Sequence, residues 1–146
     1  INNLAATYQA PVFSPHCTLY SPTDLPVAEL KKILERSAED TISFAVDKEK
    51  INHMENIWKT VFIELIRSPE LEQLQQAVIS QFPEGQPYEF LPHISLLYKE
   101  MPGKQKEDII RNLHVKNYFK MDKIAAVRTE PNVDNWETVV EIPFHA

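Results

Sequence analysis

Leu91-Pro92-His93-Ile94-Ser95-Leu96-Leu97-Tyr98 is matched, towards the start of the chain, by Ser14-Pro15-His16-Cys17-Thr18-Leu19-Tyr20. Each tract places a hydroxyl residue two positions after a histidine and continues with residues that favour a strand. Side chains alternate faces along a strand, so the spacing predicts that His16 and Thr18 point one way together, as do His93 and Ser95. Two such strands side by side make a site of two imidazoles and two hydroxyls. Such a set suits proton transfer on a bound anion: an imidazole gives or takes a proton near neutral pH, and a hydroxyl donates without adding charge.

A lone histidine on a strand is most simply a satisfied core residue. Here the repeat includes the preceding proline and the following leucine and tyrosine, which favours a working pair. Cys17 falls on the opposite face by strand parity and reads as a small core residue, as its apolar counterpart Ile94 suggests. Tyr20, four residues after His16, shares its face and is a candidate substrate contact. Tyr98 lies five after His93, so parity turns it away unless the strand bends or ends. Zinc ligation by the two histidines lacks a third protein ligand, with no HExxH and no cysteine pair, so neither metal nor other cofactor is expected. His53, His114 and His145 have no motif around them and read as surface or structural. Lys99, Lys104 and Lys106 follow the second motif and could attract an anion, although solvated surface is the ordinary reading. Trp58 and Trp136 are expected in the core or on a cleft wall.

The chain has 146 residues, 43% of them hydrophobic, enough for one domain or two small lobes with a core. A formal charge of -6 disfavours a protein that grips long nucleic acid through clustered lysine and arginine. A single cysteine excludes an internal disulfide and fits a reducing compartment, with cytoplasm the expectation. No apolar run approaches the roughly 18 residues that would cross a bilayer, so no membrane partner is expected. Only Gly85 and Gly103 are glycine, which rules out a glycine-rich phosphate loop and leaves side chains to bind any phosphate. Eleven prolines punctuate the chain instead.

The periodicities predict helices over 2–8, 27–38 (with Thr23 or Asp24 as cap), from Ser68-Pro69 onward, and over 104–113. Strands are predicted over 16–20, 42–46, 57–65, 94–98, 119–128 and 136–142. Leu71, Leu74, Val78 and Phe82 form the buried stripe of the third helix. Strand, helix, strand, strand occurs twice, and the histidines stand about half a chain apart. The expectation is a single bilobal α+β domain over 1–146, with two pseudo-symmetric lobes of antiparallel sheet, outer helices and a central cleft.

The tracts His16-Cys17-Thr18-Leu19-Tyr20 and His93-Ile94-Ser95-Leu96-Leu97 resemble the paired H-x-[ST]-x-hydrophobic motifs of the 2H phosphoesterase superfamily. Pro92 to Tyr98 is especially similar to its cyclic nucleotide phosphodiesterase branch. The resemblance spans nearly the whole chain and implies the 2H phosphoesterase, or RNA ligase-like, fold. It implies metal-independent hydrolysis of a 2′,3′-cyclic nucleotide or of ADP-ribose cyclic phosphate to a 2′-phosphate or its equivalent. His16 and His93 would be the acid and base, Thr18 and Ser95 would hold phosphate oxygens, and Tyr98 would contact the substrate. The family usually has a strand before its first helix, and this sequence starts at what looks like that helix, so a missing N-terminal strand is expected. The alternatives are a 2′-5′ phosphodiester enzyme acting on RNA ends or oligonucleotides, and a non-catalytic module that binds a phosphorylated ligand. The partner in each case is a small cyclic-phosphate nucleotide or an RNA end.

Overall fold

The computed structural model describes residues 1–22, 25–82 and 88–146. The fold is α+β, with helices α1 (Asn2–Tyr8), α2 (Val27–Ala38), α3 (Pro69–Ile79) and α4 (Gly103–Arg111). Its strands are β1 (Phe44–His53), β2 (Val61–Leu65), β3 (His93–Leu97), β4 (Tyr118–Met121), β5 (Lys123–Arg128) and β6 (Glu137–Pro143). The chain divides into two compact units, each assembled from three separated stretches: 1–18, 47–66 and 91–118 in the first, and 19–46, 67–90 and 119–146 in the second. Among the described residues, no helix is long and apolar enough to cross a membrane.

In the first unit the strand order is β3-β2-β1, all antiparallel. Val61, Phe62, Ile63 and Leu65 of β2 are all buried, as are Ile94, Leu96 and Leu97 of β3. These are continuous apolar runs, which suit strands covered on both faces. The register sets Ser95 opposite Phe62 and His93 opposite Glu64. Helix α1 lies against β3, and the Lys99 ammonium, just past β3, donates to the carbonyl of Tyr8 at the helix end. Helix α4 buries Ile109 and, less usually, Lys106, whose ammonium donates to Met54 O at 2.6 Å.

The second unit packs α2 and α3 together and sets α2 on the β5-β6 hairpin. Leu34 and Ala38 of α2 meet Leu74 and Val78 of α3 together with Ile124, Val140 and Phe144. Of the stripe read from the α3 sequence, Leu74 and Val78 lie in this core and Phe82 packs at its edge, while Leu71 is buried as well. Ser68 caps α3 as its sequence predicts, accepting from Leu71 N at 3.2 Å.

Several local expectations are corrected. Residues 16–20 form no regular strand; prolines 11, 15, 22 and 26 bracket the tract and remove the amide donors a ladder would need. The strand expected over 57–65 begins instead with a 3-10 turn, Ile57–Lys59, because the Asn56 side chain caps it by accepting from Trp58 N at 2.9 Å. The strand over 119–128 breaks at Asp122 into β4 and β5. The short strand at 42–46 becomes an isolated bridge at Ile42 and the longer β1. Pro26 occupies the cap position of α2 without a side-chain bond. Thr23 and Asp24, the expected caps, lie outside the described residues.

Candidate active site

His16 and His93 belong to the same unit, and they are near enough that the charge of one lowers the proton affinity of the other. The two rings are held alike. His16 Nδ1 lies 2.7 Å from Ser14 O, and His93 Nδ1 lies 2.8 Å from Leu91 O. A carbonyl can only accept, so each Nδ1 carries the hydrogen and each neutral ring presents Nε2 as its basic nitrogen. In both tracts the oxygen comes from two residues upstream, across the Pro15 or Pro92 peptide.

The surroundings of the two rings differ. His93 is half-buried, and burial is the main cause that lowers its proton affinity below the ordinary imidazole range. The bond to Leu91 O opposes this, while the charges of Lys59 and His16 add to it. His16 is exposed. Between them, the backbone N–H of His93 is directed at the Cys17 sulfur, and burial pushes that thiol up to about 11. The first motif therefore lies alongside β3 without forming a strand, and Cys17 is an inert packing group there.

Aromatic rings build the walls. Phe13 stacks on Tyr98 with centroids 3.9 Å apart and meets the edge of His16 at 6.3 Å. Trp58 meets Tyr98 at 5.2 Å, and Phe62 meets His93 at 5.6 Å. Tyr98 is buried, which raises its phenol above the ordinary range, partly offset by a hydrogen bond with Ser95. Strand β3 ends at Leu97, so Tyr98 escapes the alternation and rejoins the histidine neighbourhood.

Ser95 is 4% exposed and gives its proton to Trp58 O at 2.7 Å. Thr18 is half-buried at the end of the first motif. Tyr20, in contrast, belongs to the second unit, where it packs against Phe82 and Tyr88. The structure thus brings His16, His93, Ser95 and Tyr98 together in one unit with Phe13, Trp58, Phe62 and Lys59. Among the described residues, no three or more of His, Cys, Asp and Glu cluster as a metal site.

Sequence reading missed Lys59, Phe62 and Phe13. No motif marks them. Phe13 precedes the first histidine by three residues, but Phe62 reaches His93 through the β2-β3 pairing and Lys59 from the 3-10 turn that leads into β2. Lys99 and Lys106, by comparison, are engaged with backbone carbonyls.

A family model described as the 2′-5′ RNA ligase superfamily matches residues 4–131. A protein of Arabidopsis thaliana named cyclic phosphodiesterase is 22% identical over 145 residues, covering 93% of this chain and 80% of that protein.

Proposed function

This chain belongs to the 2′-5′ RNA ligase superfamily of 2H phosphoesterases, and we propose that it hydrolyses a cyclic phosphate, either a 2′,3′-cyclic nucleotide or ADP-ribose cyclic phosphate. The observation that carries this reading is the matched tethering of His16 and His93 through Nδ1, which gives two proton-transfer nitrogens in mutual electrostatic range. A named cyclic phosphodiesterase among its relatives favours the same class of substrate.

In the mechanism, His93 is the base and His16 the acid. The lowered proton affinity of His93 keeps it neutral, so its Nε2 takes a proton from water as the water oxygen attacks phosphorus. The bond from phosphorus to one ribose oxygen breaks, and protonated His16 gives that oxygen its proton from Nε2. Ring opening leaves a 2′-phosphate or its equivalent. Thr18 and Ser95 donate to the non-bridging oxygens, where negative charge grows; Ser95 does so by turning its proton away from Trp58 O. Tyr98 borders the substrate.

The test is turnover of 2′,3′-cyclic nucleotides, ADP-ribose cyclic phosphate and 2′-5′ oligonucleotides in the presence of a strong chelator, with the products identified. Opening of a cyclic phosphate that survives the chelator supports the reading. Cleavage confined to 2′-5′ oligonucleotides would favour action on RNA ends, which the family description suggests as the second reading. Binding without turnover of any substrate would leave a phosphate-ligand module.

A further inference from the structure

We propose that Lys59 is a further substrate-binding residue of this site, the fixed positive charge that receives the phosphate. This rests on the proposed function for the identity of the substrate, though not for its test. Lys59 ends the 3-10 turn Ile57–Lys59, and its ammonium lies 6.0 Å from the centre of the Phe62 ring. His93 meets the same ring at 5.6 Å. Lys59 and His93 thus flank one aromatic side chain, and their charges interact.

The reason to expect a ligand is an imbalance of charge. Lys59 is half-buried, yet among the described residues no carboxylate forms an ion pair with it. The Lys59 charge opposes protonation of the half-buried His93, and an incoming anion relieves that cost. The nearby acid does not supply the compensation. Glu64, opposite His93 in the ladder, is held by Asn52 Nδ2 at 2.9 Å and by Lys50 at 3.8 Å. The remaining groups facing His93 are His16 and the Cys17 thiol from the first motif. A cyclic phosphodiester carries one negative charge, and loss of the attacking water's proton to His93 adds a second at phosphorus, so a neighbouring ammonium favours both binding and the transition state.

The experiment follows the histidine ring protons by NMR while inorganic phosphate, and separately 2′-AMP, is titrated into wild type, Lys59→Met and Lys59→Arg. Wild type is expected to bind both anions, Lys59→Met to bind them about 10- to 100-fold more weakly, and Lys59→Arg to restore most of the affinity. Without ligand, Lys59→Met should also move the His93 midpoint to higher pH, which a purely structural role of the side chain would not do. Equal anion affinity in wild type and Lys59→Met, or an unmoved His93 midpoint in a folded Lys59→Met protein, overturns the proposal. Absence of cyclic-phosphate turnover in wild type that still binds phosphate through Lys59 would refute the assigned reaction and leave the anion site standing.

Discussion

His16 and His93 are held by the same device: each ring nitrogen Nδ1 is tied to the carbonyl two residues before it, at 2.7 and 2.8 Å. The equivalence fixes tautomer and ring direction in both, while unequal burial separates their chemistry.

Replacing either histidine by alanine is expected to reduce turnover by about 10² to 10⁴, since each removes one proton-transfer partner. Steady-state rates across pH 5 to 9 check this, with the wild-type profile bell-shaped. His93→Ala should flatten the acidic limb and His16→Ala the alkaline limb. Full activity in either variant would exclude a two-histidine mechanism.

Folding should also respond to pH through His93. Its proton affinity is lower in the folded protein than the ordinary 6.5, so below about 6.5 the unfolded chain binds more protons. The stability contributed by His93 is therefore present above 6.5 and lost as pH falls through the folded value. Urea midpoints at pH 8 and pH 5 should differ more in wild type than in His93→Gln. An equal difference in the two proteins would place the pH sensitivity elsewhere.

Cys17 is expected to resist alkylation. A thiol pushed up to about 11 holds far less thiolate at pH 8 than a free cysteine, so iodoacetamide should react about two orders of magnitude more slowly than with the unfolded chain. Mass spectrometry of the intact protein gives both rates. Comparable rates would show an accessible, activated thiol.

Ser95→Ala should cost stability as well as rate. It leaves Trp58 O without its 2.7 Å donor and Tyr98 without its hydroxyl partner, a loss of about 1 to 3 kcal/mol in the folding free energy. Ser95→Thr, retaining the hydroxyl, should recover part of it if the added methyl is tolerated. Thermal or urea denaturation measures both variants, and wild-type stability in Ser95→Ala would refute the structural part of the role.

The second motif was legible because strand periodicity is a local property: His93–Leu97 is a strand, and Ser68-Pro69 starts a helix through capping chemistry that sequence carries directly. The first motif kept its chemistry but not its strand, since flanking prolines removed ladder donors that hydropathy does not count. The parity argument for Tyr20 loses its footing for the same reason, because it holds only where a strand exists. Lys59 and Phe62 could not be read at all. Phe62 meets His93 by pairing across the sheet and Lys59 from the turn that leads into that strand, and sequence spacing carries no trace of either relation.

The two tracts also differ in how they are mounted. His93 is fixed in a ladder with β2, whereas His16 rides on chain that belongs to no strand and is pinned by side chains, Phe13 on Tyr98 and Lys99 on Tyr8. Drawing His16 away from His93 therefore parts a ring stack, an ammonium contact and the approach of the His93 N–H to the Cys17 sulfur, without peeling a strand from the sheet.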